Sequence, residues 1–199
     1  MPGLSLWLSP PPSSPIYKAL ESLIGQLSDD LFPPSSKAPK FSPHITLTSD
    51  IPVDVDPDAV VRSVSSLASP RLQIDIGNVA YGPAYFKKIY LRIAKTPDLI
   101  QLAGESRRIH VYLSTNDNKS ADKAEAMARE WQSSEYDPHL SLVYSDEWPI
   151  TDNKKIDIQA RLESLFDQVG TSSWVGGRIS LVKTLGPVET WQVLACQDL

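Results

Sequence analysis

The sequence predicts an α+β fold built by internal duplication, on three observations. First, Ser42-Pro43-His44-Ile45-Thr46-Leu47 has an echo in Asp137-Pro138-His139-Leu140-Ser141-Leu142, 95 positions further on, and both copies read Pro, His, aliphatic, hydroxyl, Leu. Second, segments with an apolar period of two, the mark of strands, are interspersed with segments of period 3.6, the mark of amphipathic helices. Third, a helix and then a strand pair follow each copy of the motif. At 199 residues, 41% of them hydrophobic and 22% charged, the chain can bury a full core and fits one compact domain or two intimate lobes.

Taken in order, Leu4, Leu6 and Leu8 alternate with Ser5 and Trp7, so residues 4 to 8 form a strand with Trp7 on the polar face. A proline-rich loop leads into a helix capped by Ser14, with Pro15 at its first position and Tyr17, Leu20, Leu23, Ile24 and Leu27 as its stripe. Residues 29 to 41 form a loop that delivers the first motif strand. Asp56 and Pro57 open a second helix carrying Val60, Val61, Val64, Leu67 and Ala68, and Ser69-Pro70 ends it. Strands near 71 to 80 and 87 to 94 follow, joined through Tyr81-Gly82-Pro83-Ala84. Leu99, Leu102, Ala103, Ile109 and Leu113 predict a helix from Pro97 to about 113, weakened by Gly104. A polar loop over 114 to 120 and a helix from the cap Ser120 through Trp131, charged on most sides, make 114 to 132 a peripheral insertion. After the second motif strand, Asp152 opens a helix with Ile158, Leu162, Leu165, Phe166 and Val169 inward. A last strand pair, about 173 to 185 and 189 to 196, turns at Gly186-Pro187.

A formal charge of -5 argues against a broad basic surface for long nucleic acids, yet leaves room for a small phosphate ligand held by a few local donors. Cys196 is the single cysteine, so no internal disulfide forms and a reducing, intracellular setting is expected. Residues 1 to 9 lack a basic flank and break into prolines, which fails as a signal peptide, and no apolar run is long enough to span a bilayer. A soluble, cytoplasmic monomer is the expectation.

The motif carries the chemistry. Alternation in a strand puts His44 and Thr46 on one face over Ile45 and Leu47, and His139 and Ser141 on one face over Leu140 and Leu142. The proline before each histidine suits a strand start. Two imidazoles facing one cleft suit general acid-base work, because a pKa of about 6.5 lets one be neutral and the other protonated near neutral pH. In-line displacement at phosphorus wants one group to take a proton from water and the other to protonate the departing oxygen, while hydroxyls steady the non-bridging oxygens. A lone His-x-Thr triplet arises by chance in many proteins; the repeat is what gives it weight. His110 stands outside any motif and reads as surface. No metal is required: there is no His-x-x-x-His and no cysteine cluster, and Asp50 and Asp146 do not complete a recognisable ligand set.

His44-Ile45-Thr46 and His139-Leu140-Ser141 resemble the paired His-x-Thr/Ser signatures of the two-histidine phosphoesterase superfamily, and the fungal 2′,3′-cyclic-nucleotide 3′-phosphodiesterases look nearest. The resemblance implies one bilobal, pseudo-two-fold domain over 1 to 199, with two antiparallel sheets flanking a central cleft and helices outside. It implies cofactor-free opening of nucleoside 2′,3′-cyclic phosphates to 2′-phosphates and of ADP-ribose 1″,2″-cyclic phosphate to the 1″-phosphate, a by-product route of tRNA splicing. By position it makes His139 the base, His44 the acid, and Thr46 and Ser141 the phosphate grips, with the near-symmetry of the site permitting the reverse acid and base labels. A Golgi association rests on the resemblance alone. RNA ends or 2′-5′ linkages are the competing substrates, and a non-catalytic nucleotide-binding module is the competing class.

Two aromatics remain open at this stage. Trp7 either stacks on a base, a contact worth about 1–3 kcal/mol, or caps the sheet edge. Tyr144 matches a site-lining tyrosine of the resembled family, but strand parity puts it opposite His139, so that role needs the strand to end or bulge first; otherwise it is core. The Lys87-Lys88 pair with Arg92 is a candidate for positive charge near the cleft, with a solvated strand edge the preferred reading.

Overall fold

The computed structural model describes residues 3–31, 38–114 and 120–199. Parts of the two predicted loops, 32–37 and 115–119, lie outside the described residues. The elements are β1 (Leu4–Ser9), α1 (Pro15–Asp30), β2 (Ile45–Ile51), α2 (Pro57–Leu67), β3 (Gln73–Tyr81), β4 (Ile89–Ile93), α3 (Pro97–Arg107), α4 (Ala121–Ser134), β5 (His139–Val143), α5 (Asp152–Val169), β6 (Ser173–Val175), β7 (Arg178–Lys183) and β8 (Gln192–Asp198). Short 3-10 turns at Tyr85–Lys87 and Val188–Thr190 follow Gly82-Pro83 and Gly186-Pro187.

Local chemistry starts the helices where the sequence asks. The Ser14 hydroxyl accepts from the Tyr17 N–H ahead of Pro15, Asp56 accepts from the N–H groups of Asp58 and Ala59 ahead of Pro57, and Thr96, Ser120 and Thr151 cap α3, α4 and α5. α5 ends on Gly170 in the left-handed conformation. The helix predicted to run to about 113 instead leaves α-geometry at Arg107 and continues as one π-turn, Arg108–Tyr112. Gly104 has a packing reason: a Cβ there would lie 1.6 Å from Gln132 Nε2, which reaches in from α4 to donate to the Ile100 carbonyl at 2.9 Å.

All strand pairings are antiparallel, in the order β6-β3-β4-β5-β2-β1-β7-β8. In place of two separate sheets there are two four-stranded halves joined at a seam, where Ile45 of β2 pairs with Leu140 of β5. The halves exchange strands: β3 and β4, which follow the first motif, lie beside the second motif strand, while β7 follows the second motif and flanks β1 next to the first. α1 and α5 cover the half holding β5; α2 and α3 cover the other. Leu4, Leu6, Leu8, Ile45, Leu47, Leu140 and Leu142 are buried in the core. That burial fixes which way the alternate residues point.

The predicted strand over 173 to 185 is two strands. Gly176 (φ 69°) and Gly177 (φ 131°) break it, so β6 pairs with β3 at one end of the sheet while β7 pairs with β1 near the other. A Cβ on Gly177 would sit 2.3 Å from the Ser9 carbonyl oxygen. Gly177→Ala is expected to cost about 2 kcal/mol or more in denaturant unfolding, from a disallowed φ and a backbone clash together. A midpoint unchanged from the parent protein would show that this junction does not need its glycine.

Candidate active site

A cavity of about 350 Å³ opens at the seam, and both motifs line it. Antiparallel pairing of Ile45 with Leu140 sets His44 opposite Ser141 and Thr46 opposite His139, so each imidazole lies beside the other motif's hydroxyl. The cavity also takes in Trp7, Tyr144, Phe86, Trp191, Ser49 and Asp50, and among the described residues no Lys or Arg lines it. A groove of about 390 Å³ between α1 and α5 holds no comparable pair of acid-base groups.

The two imidazoles are held in the same way. His44 Nδ1 is 2.7 Å from the carbonyl oxygen of Ser42, and His139 Nδ1 is 2.8 Å from that of Asp137. A carbonyl can only accept, so both Nδ1 atoms carry the proton and both neutral rings turn a lone pair on Nε2 toward the cavity. In each case the acceptor lies two residues back, across the proline. The repeated proline therefore does more than start a strand: it spaces the carbonyl that selects the tautomer.

The settings differ. His44 is 5% exposed and stacks on Trp7, ring centroids 3.6 Å apart at 10°. Burial brings its pKa down to about 4, against the Ser42 carbonyl, which raises it; the nearby His139 lowers it further. His139 is partly exposed, and its pKa also falls, through burial first, with the Lys87 charge lowering it and the Asp137 carbonyl and carboxylate raising it.

Tyr144 is brought to the site because β5 ends at Val143, which releases the parity constraint. Its hydroxyl stands 3.5 Å from His44 Nε2, and burial raises its pKa, so it remains a phenol able to donate. Trp7, left open between stacking on a base and capping the sheet edge, lines the cavity at 7% exposure with one ring face taken by His44. Ser141 also has a different bond from the expected one. Its hydroxyl donates to the Phe86 carbonyl at 2.7 Å, tying the loop after β3 to the motif strand, and must turn from Phe86 before it can donate to a phosphate.

The solvated-edge reading of Lys87, Lys88 and Arg92 is corrected as to the edge and to Lys88, while Arg92 is exposed. β4 is flanked by β3 and β5, and Lys88 is fully buried, donating to the Pro83 carbonyl at 2.9 Å, its ammonium 5.4 Å from the Trp148 ring centre. His110 is half-buried in the π-turn, with burial lowering its pKa and Nε2 lacking a partner among the described residues. Phe41 is a residue that the motif reading missed. It stacks on Tyr144 (3.9 Å, 11°) and meets His44 edge-on (6.0 Å). The signal was present, since an aromatic stands three residues before each motif histidine, Phe41 and Tyr136.

The whole chain, residues 1–199, matches the family described as cyclic phosphodiesterase-like protein. The chain belongs to that family. Within the cyclic phosphodiesterase-like family it is 38% identical to a Yarrowia lipolytica protein named 2′,3′-cyclic-nucleotide 3′-phosphodiesterase, covering 98% of this chain and 99% of the other. It is 30% identical to a Candida albicans protein of the same name, covering 99% of each. Among solved structures, apo E. coli LigT aligns with TM-score 0.52 at 13% identity, covering 100% of this chain and 97% of that one, and supports the α+β fold. Among the described residues of this cyclic phosphodiesterase-like chain, no group of three or more His, Cys, Asp or Glu is placed to hold a metal, and no helix is long and apolar enough to cross a membrane.

The depressed pKa of His44 has a sign for stability. The folded state binds this proton less readily than the unfolded chain, so His44 costs nothing above about pH 6.5 and progressively destabilises the fold as pH falls toward 4, by about 3 kcal/mol in all. Unfolding free energies of the parent and His44→Gln, measured between pH 7 and 4, should diverge by that amount in favour of the variant. Parallel curves would show that His44 titrates normally.

Proposed function

We propose that this chain hydrolyses nucleoside 2′,3′-cyclic phosphates to 2′-phosphates without a metal, and that the same site opens ADP-ribose 1″,2″-cyclic phosphate to the 1″-phosphate, consuming by-products of tRNA splicing. The observation that carries the reading is the pair of Nε2 lone pairs, each fixed by a backbone carbonyl and turned into one cavity. The names of the relatives support the reaction class.

In this scheme His139 Nε2 takes a proton from water as its oxygen attacks phosphorus, the P–O3′ bond breaks, and His44 Nε2–H protonates the departing O3′. Each such group contributes typically 10²–10⁴-fold. The acid must first be charged, which the burial of His44 opposes. A bound phosphate anion favours that proton, and so does the π-face of Trp7 stacked on the ring. In this scheme Thr46 holds a non-bridging oxygen and Tyr144 donates near His44, roles supported by the seam register that sets Thr46 opposite His139 and by the approach of the Tyr144 hydroxyl to His44. A cavity with no Lys or Arg among the described residues that line it, in a chain of net charge -5, favours a small substrate over RNA ends.

His44→Ala and His139→Ala should each lower turnover of a 2′,3′-cyclic nucleotide at least about 100-fold in a folded protein, with no effect of EDTA on the parent. Phosphorus NMR should show the 2′-phosphate; a protein that binds the nucleotide and returns it unchanged would leave the non-catalytic reading standing. Because both imidazole pKa values are depressed, the bell of kcat/KM against pH should centre below 6.5, while the alkaline limb of kcat moves up as the bound anion raises the acid's pKa. A profile flat across this range would defeat the acid-base assignment.

A further inference from the structure

The two histidines share a tautomer but not a neighbourhood. Around His44 stand the rings of Trp7, Phe41 and Tyr144. Around His139 stands an ion pair: Lys87 Nζ donates to Asp137 Oδ2 at 2.5 Å and lies 4.9 Å from the centre of the Tyr90 ring, and that ring meets His139 edge-on with centroids 5.5 Å apart. Asp137 is also the residue whose carbonyl holds the His139 Nδ1–H.

We propose that Lys87 and Asp137 form a charge-balanced lock that orients His139 and sets the pH at which it takes up a proton. The proposal rests on His139 being an acid-base group of the site described above. Lys87 comes from the turn before β4 and Asp137 from the lead-in to β5, 50 positions apart in sequence. The pair therefore pins the backbone that carries the His139 acceptor to the loop whose Phe86 carbonyl accepts from Ser141. Lys87 is 29% exposed and Asp137 48%, so the pair contributes little to global stability. Its effect is local, because the cation lowers and the anion raises the proton affinity of one imidazole, so their fields oppose each other there. Removing either charge unmasks the other. The remaining charged or titratable groups around His139 are Arg92, its register partner on β4; Tyr90, on the same strand; Lys95, near Asp137; and His44 across the seam. Among the described residues, none of these pairs with the Asp137 carboxylate as Lys87 does. Lys87 and Asp137 are thus positioning residues, acting through His139.

The test is NMR titration of the His139 ring in the full chain without substrate, its resonance assigned by loss in His139→Gln. Lys87→Met should raise the His139 pKa by about half to one unit, because the Asp137 carboxylate is left uncompensated; Asp137→Asn should lower it by a similar amount; the double variant should return near the parent. Lys87→Arg should keep the parent value. The kcat/KM limb for a nucleoside 2′,3′-cyclic phosphate that reports His139 should move with each shift. Shifts of the same sign in both single variants, or none, would overturn the lock and leave an ordinary surface pair. Should Lys87→Met fail to fold, the direction of the Asp137→Asn shift decides. Because ring titration needs no turnover, an inactive protein with opposed shifts would contradict the proposed reaction and not the lock.

Discussion

The pairing of Ile45 with Leu140 joins the two four-stranded halves, and the site depends on it. Antiparallel geometry rotates one motif strand onto the other about a local two-fold axis, so two short sequences far apart in the chain become one constellation of two imidazoles and two hydroxyls. The aliphatic residues beside each histidine are the ones that pair, and both are fully buried. A slip of one residue would send an imidazole into the core and an aliphatic side chain into the cavity. Strand exchange reinforces the seam, since each half is completed by strands that follow the other half's motif.

On this frame the chain makes a symmetric choice and then an asymmetric one. The symmetric choice is the tautomer, fixed twice by a carbonyl across a proline. The asymmetric one is environment. His44 is desolvated between Trp7 and the Phe41–Tyr144 stack, while His139 keeps partial access to water and an ion pair at its back. In the proposed reaction these two chemically identical groups do opposite work, and unequal surroundings are a way to separate their proton affinities.

The legible parts are those in which a local pattern has a local cause. Ser14-Pro15 and Asp56-Pro57 start helices because their hydroxyl and carboxylate satisfy the first N–H groups, and alternation in β1, β2 and β5 follows from a buried face. The motif pair is legible because repetition rarely arises by chance. What the sequence hides is non-local. Gly176-Gly177 looks like an interruption in one strand, and nothing nearby says that its two ends join opposite sides of the sheet. Lys88 has the composition of an edge, yet its ammonium finds the Pro83 carbonyl inside a folded hairpin. Trp7 shows the correct face by parity, but its stacking partner lies 37 positions away and only the β1–β2 register reveals it. Ser141 is a hydroxyl in the right place whose donor is already used by a carbonyl 55 positions upstream.

If one small anion is the focus of both imidazoles, a crystal of the protein with a nucleoside 2′,3′-cyclic vanadate, which mimics the five-coordinate phosphorus, should show it. The account predicts vanadium between the two Nε2 atoms, each within hydrogen-bond distance of an oxygen on opposite sides of the metal-oxo centre, with Thr46 on a third oxygen. Vanadate bound away from the seam, or held by one imidazole with the other turned elsewhere, would contradict it.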